Sequence, residues 1–119
     1  STMFRPRYGS GLSAQNLVAP YAFARIMSWM RRHPRWDVFM AGMPQSGKAG
    51  SLRSRFTGTP LDGRVWAKTG TISGVNSLSG LVRRPDGRAF LLAIQANQHT
   101  LGSRAMVARI DSVVAAIGR

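Results

Sequence analysis

The 119-residue sequence contains no cysteine and no glutamate. Without thiols, disulfides and Cys-based metal sites are excluded. Without glutamate, all side-chain negative charge rests on 4 aspartates, against 17 Lys and Arg, for a formal net charge of +13. No apolar run approaches the roughly 20 residues that a membrane-spanning helix needs. No basic-then-apolar signal stretch opens the chain either, so it is expected to be soluble or to lack its targeting segment.

What is present describes a folded domain, or part of one. Apolar residues make up 44% of the chain, with 13 glycines and 6 prolines spread along it, a composition that buries a core and is unlike a disordered segment. Only Lys48 and Lys68 are lysines; the other basic residues are arginines, scattered except for RRHPRW at 31–36. Arginine suits phosphate, so a polyanion-binding surface is one reading of this charge. No nucleic-acid motif accompanies it, and the arginines are not interleaved with exposed aromatics, which favours a solvated, Arg-biased surface.

Residues 1–19 hold no sustained period and read as loop. Pro20 suits the first turn of a helix, and Phe23, Ile26, Met27 and Met30 form one apolar stripe that His33-Pro34 ends. Residues 36–41 suit a short helix, and the Gly-, Pro- and Ser-rich stretch 42–63 reads as loop. RVWAKTG (64–70) is expected to be a strand with a glycine stop. VNSLSGLV (75–82) and RAFLLAIQA (88–96) flank the turn RRPDGR and make a hairpin. FLLAI (90–94) is apolar on both faces and is expected to be covered on both. Met106, Ile110, Val113 and Ile117, with Val107 and Val114, predict a helix over 103–117 with Gly118 as terminator. The order of elements is α+β with a mostly antiparallel sheet.

Three glycine motifs invite functional readings. GSGLSA (9–14) matches a dinucleotide loop, but no strand precedes it. GMPQSGKA (42–49) nearly matches the phosphate loop G-x-x-x-x-G-K-[ST], yet Ala49 replaces the hydroxyl that would hold Mg²⁺. Both are decoys. KTG at 68–70 differs, because it lies on a strand that leads into a hairpin, the setting it has in serine acyl-transfer enzymes. Those enzymes also need a Ser-x-x-Lys nucleophile and a polar Ser-x-Asn or Tyr-x-Asn element, and neither occurs in the chain. Asp37, Asp62, Asp86 and Asp111 form no recognisable triad with His33 or His99.

YGSGLSAQNLVAP (8–20), MPQSGKAGSLRSRF (43–56) and DGRVWAKTGTISGVNSLSGLV (62–82), taken together, resemble the C-terminal portion of the D-alanyl-D-alanine carboxypeptidase/endopeptidases among the class C low-molecular-mass penicillin-binding proteins. Gly9–Ser13, Met43-Pro44, Gly47, Gly50-Ser51-Leu52, Arg55-Phe56, Lys68-Thr69-Gly70, Gly74-Val75, Leu78 and Gly80 follow that family's order. Tyr8 stands where the family usually has Asp, and residues 1–8 form an atypical start. The resemblance implies that 9–119 is the C-terminal segment of a penicillin-binding-protein/β-lactamase-like transpeptidase domain, with Ser-x-x-Lys and Ser-x-Asn upstream.

The same resemblance implies site roles. Lys68 would hold the hydroxyl of the polar element and supply positive charge. Thr69 would bind the terminal carboxylate of a D-Ala-D-Ala peptide or a β-lactam. Gly70 would let the ligand backbone approach, and the Thr71 backbone N–H would donate to the oxyanion. It also implies a periplasmic or cell-envelope location, peptidoglycan stem peptides as substrate, and a missing N-terminal segment paired along the 88–97 strand. No metal or organic cofactor is implied, and the chain alone is expected to lack acyl-transfer activity. The alternative is a small Arg-rich module that binds nucleic acid or another polyanion.

Overall fold

The structure is a computed structural model, and it describes residues 4–6, 9 and 17–119. Its elements are β1 (Phe4–Arg5), β2 (Leu17–Val18), α1 (Pro20–Met30), α2 (Trp36–Ala41), β3 (Val65–Ile72), β4 (Val75–Arg83), β5 (Ala89–Asn97) and α3 (Ser103–Ile117), with one 3₁₀ turn at Gly50–Leu52. The main sheet is antiparallel in the order β3-β4-β5, so the fold is α+β. β1 and β2 pair Phe4 with Val18 and Arg5 with Leu17, which corrects the reading of 1–19 as loop throughout. Two-residue strands carry too few positions for a period to register. Most of GSGLSA lies outside the described residues.

Register assigns the two faces of the sheet. Val65 and Ala67 of β3, Leu78 and Val82 of β4 and Leu92 of β5 form the core with Ile110 and Val114 of α3. The 42–63 segment reads as loop from its glycines, yet it delivers Leu52, Phe56 and Leu61 to this same core. On the opposite face, Trp66 and Leu81 meet Trp36 and Met40 of α2 across a shallow groove of about 240 Å³, while α1 packs against β5 and β4.

Both helical stripes come out narrower than their spacing suggests. On α1 the buried position is Met27, and Ile26 is 51% exposed; on α3, Val113 and Ile117 face outward at 48% and 43%. Each helix rests on one side of the sheet, so only the central part of its apolar arc finds a partner. Trp29 and Tyr21 are also exposed on α1, in the same helix as exposed Arg25 and next to exposed Arg31 and Arg32. Exposed aromatics are therefore interleaved with arginine at this corner, contrary to the sequence reading. Gly118 does end α3, by close approach rather than by a left-handed turn: a Cβ there would lie 2.8 Å from both Leu61 methyl carbons.

Candidate active site

The Lys-Thr-Gly strand is longer than the expected 64–70, because Gly70 is not a stop. β3 runs on to Ile72 and turns through Ser73-Gly74, with Gly74 at φ 71°, so that Ile72 pairs with Val75. Such a two-residue connection needs a residue that tolerates positive φ, and glycine supplies it. A Cβ at Gly70 would lie 2.4 Å from the Ser77 hydroxyl across the ladder.

Register also decides which backbone groups face outward. In an antiparallel pair, hydrogen-bonded and non-hydrogen-bonded residues alternate. The Arg83 N–H donates to the Arg64 carbonyl at 2.9 Å, which makes the even-numbered residues of β3 the bonded ones. Val65, Ala67, Thr69 and Thr71 thus turn their N–H and C=O away from β4, toward the free edge. The segment 44–46 covers the first half of that edge: Ser46 N–H donates to the Val65 carbonyl at 2.9 Å and Ala67 N–H to the Pro44 carbonyl at 3.1 Å. Beyond Ala67 no backbone segment among the described residues covers the edge, and it is there that Thr69 and Thr71 present their backbone groups.

Ser46 anchors this cover. It is fully buried, donates to the Leu61 carbonyl at 2.8 Å and accepts from Arg64 N–H and Val65 N–H, each at 3.1 Å. Gln45 adds a bond to the Gly63 carbonyl at 3.0 Å. Gly47 has φ 66°, and a Cβ there would strike the Asp62 carboxylate. The glycine and serine of the apparent phosphate loop are accounted for by packing, and Lys48 is exposed.

At the open half, Lys68 sends its ammonium back to the carbonyl of Thr69, which places the charge beside the edge. The Thr69 hydroxyl donates to that of Ser51, 3.0 Å away on the 3₁₀ turn. Thr71 Oγ1 accepts from Asn76 Nδ2 at 3.3 Å. The structure therefore brings Lys68, Thr69, Gly70 and Thr71 onto one stretch of edge. Sequence reasoning missed Ser51 and Asn76. Ser51 sits in a motif that marked the resemblance without having a role, and Asn76 follows the turn that the assumed glycine stop concealed. His33 and His99 engage neighbours other than Asp: His33 Nδ1 accepts from Arg35 N–H at 3.1 Å, and His99 Nε2 lies 2.8 Å from Asn76 Oδ1. No cluster of three or more metal-ligating side chains occurs among the described residues, and none of their helices is long and apolar enough to cross a membrane.

Helices packed on an antiparallel sheet whose edge strand carries Lys-Thr-Gly define the sheet portion of a penicillin-binding-protein domain. Residues 2–117 match the D-Ala-D-Ala carboxypeptidase 3 (S13) family, and the chain belongs to it. It is 39% identical over 84 residues to a D-alanyl-D-alanine carboxypeptidase of Actinomadura sp. (strain R39), covering 66% of this chain and 16% of that protein. It is 31% identical over 115 residues to the penicillin-sensitive carboxypeptidase A of Dictyostelium discoideum, covering 89% and 22%. In fold it is similar to penicillin binding protein 4 (dacB) from Haemophilus influenzae, solved with a β-lactam, at a TM-score of 0.83 and 24% identity over 98% of this chain and 28% of that one. The chain thus spans about a sixth to about a fifth of the length of these curated relatives.

Proposed function

We propose that this chain forms the sheet side of a serine-type D-Ala-D-Ala carboxypeptidase or endopeptidase site, which takes peptidoglycan stem peptides or β-lactams in the periplasm or cell envelope. In this reading residues 9–119 are the C-terminal segment of the carboxypeptidase domain and 1–8 an atypical start. An N-terminal part brings Ser-x-x-Lys and the polar element, and pairs along β5. The observation that carries the reading is the half-covered edge of β3. It is closed over Val65 and Ala67, and no backbone segment among the described residues covers Thr69 and Thr71, so an extended acyl peptide can lie along 69–71 as an added strand.

Each residue then has a physical task. The incoming serine attacks the acyl carbonyl, and the Thr71 N–H faces the oxygen on which charge develops. One such donor contributes roughly 3–4 kcal/mol to the transition state. The Thr69 hydroxyl, beside Ser51, meets the terminal carboxylate, and Lys68 supplies the positive field and holds the polar element's hydroxyl. Gly70 keeps the strand free of a side chain where the ligand backbone passes. The outer edge of β5, uncharged from Ala89 to Asn97, is the surface that the N-terminal part would cover.

Labelling with a fluorescent penicillin tests this. The 119-residue chain alone is expected to stay unlabelled. Supplied with a Ser-x-x-Lys part, it is expected to form a complex labelled at a serine outside residues 1–119. An acyl group mapped to a serine within 1–119 would overturn the proposal.

The α1–α2 corner supports a second reading, polyanion binding, because Trp29 is 66% exposed beside Arg31 and Arg32. Binding to DNA that falls steeply with salt would favour it. Absence of DNA binding at low salt would remove it.

A further inference from the structure

Asn76 is 1% exposed and, with Ser46, one of two buried polar residues among those described. Ser46 has a clear task in holding the closed half of the β3 edge. Asn76 sits under the open half. It stands directly across from Thr71, in a non-hydrogen-bonded pair, where the side chains of the two strands come closest. Its Nδ2 donates to Thr71 Oγ1 at 3.3 Å and to Ser103 Oγ at 3.4 Å. Its Oδ1 accepts from His99 Nε2 at 2.8 Å and from Ser103 Oγ at 3.4 Å. The His99 backbone N–H donates to the Gly74 carbonyl in the β3–β4 turn at 3.2 Å.

We infer that Asn76 is a positioning residue for the Thr71 N–H, linking the open end of β3 to the start of α3. The Thr71 N–H has no ladder partner of its own: the sheet holds its peptide plane only from the other side, through the Gly70 carbonyl in the bonded Gly70–Ser77 pair. Thr71 lies one residue short of the two-residue Ser73-Gly74 turn. The bond from Asn76 ties the Thr71 side chain to a buried amide that His99 and Ser103 hold from the other side. The backbone N–H of Thr71 is thereby held rigid while its outward face stays free. A donor aimed at a developing charge must hold its position closely, because a shift of about 1 Å can cost about 100-fold in rate.

The inference deepens the carboxypeptidase reading and rests on it for its catalytic meaning, so the test has two arms. In the first, the chain with its Ser-x-x-Lys part is acylated by penicillin, and the pre-covalent binding constant is separated from the acylation rate. Asn76→Asp, which cannot donate to Thr71, and Thr71→Val, which keeps the N–H but loses Oγ1, are each expected to slow acylation by about tenfold or more. Binding should stay within about twofold, and the double variant should be no slower than the worse single one. Multiplicative losses, or single variants within twofold of wild type, would overturn the inference.

In the second arm, ¹⁵N relaxation on the 119-residue chain reads the Thr71 N–H directly. Its order parameter is expected near the rigid value of about 0.85 in wild type and below about 0.6 in Asn76→Asp, with Thr69 unchanged. An unchanged Thr71 value would overturn the positioning role. Wild-type protein that penicillin never acylates would instead count against the carboxypeptidase reading, while the relaxation arm still decides the role of Asn76.

Discussion

Arg55 Nε lies 3.2 and 3.1 Å from the two carboxylate oxygens of Asp111, 56 residues away in sequence, and Nη2 adds a third contact. The pair joins the 50–61 segment, which carries Ser51 to the β3 edge, to the middle of α3. Side-chain exposures of 14% and 24% put it between a surface bridge and a buried one. Arg55→Ala and Asp111→Ala are each expected to lower stability by about 1–3 kcal/mol, less than the loss of one partner in a fully buried pair. The two losses should overlap in the double variant, as chemical denaturation would show.

Ser46→Ala leaves the Val65 N–H without its acceptor inside the protein, and the Arg64 N–H with only the Leu61 carbonyl at 3.0 Å. A cost of about 2–3 kcal/mol is expected, with a lower Tm. Hydrogen exchange at Val65 and Arg64 should accelerate before that of β5. Equal acceleration across the sheet would mean that Ser46 does not guard the closed edge separately.

Gly80 and Gly70 make a controlled comparison. A Cβ at Gly80 would fall 2.0 Å from the Trp66 carbonyl oxygen and 2.5 Å from Ala67 Cα, both backbone, whereas one at Gly70 meets chiefly the Ser77 hydroxyl. Gly80→Ala is therefore expected to cost about 3 kcal/mol or more. Gly70→Ala should cost about 1 kcal/mol, largely recovered when Ser77→Ala is added. Equal losses at the two positions would contradict the register.

Much of this architecture is legible in the sequence. Alternation and the Pro-Asp-Gly turn locate β4 and β5, and Pro20 and Gly118 mark helix ends. The site strand was legible as far as Lys68-Thr69-Gly70, since the motif names itself. Its continuation was not, because a glycine in a strand reads as a stop unless its cross-strand neighbour is known. Ser51 and Asn76 were hidden for a related reason: each acts through a partner distant in sequence. Ile26, Val113 and Ile117 show the reverse error, since helical spacing says which residues share a face but not how much of that face is covered.

The turn between β4 and β5 carries a pH signature. The Arg88 guanidinium, and then its backbone N–H, bond the Asp86 carboxylate and hold its pKa below the ordinary value. A carboxyl depressed in the folded state stabilises above its unfolded pKa of about 3.9, and that contribution is lost as pH falls through the folded value. Stability should therefore rise as pH climbs from below the unfolded pKa of about 3.9 to above it. In Asp86→Asn that part of the rise should vanish, as thermal melts across this range would show.

The two lysines offer the most direct test. Both are exposed, but Lys68 lies on β3 with its ammonium at the Thr69 carbonyl on the edge, whereas Lys48 lies on the loop that covers the other half. The measurement is the second-order rate of penicillin acylation, with the chain joined to its Ser-x-x-Lys part, for Lys68→Ala and Lys48→Ala. Lys68→Ala is expected to lose about 100-fold or more, and Lys48→Ala to stay within about twofold of wild type. Equal rates for the two variants would contradict the assignment of the edge at 69–71 as the ligand-facing surface.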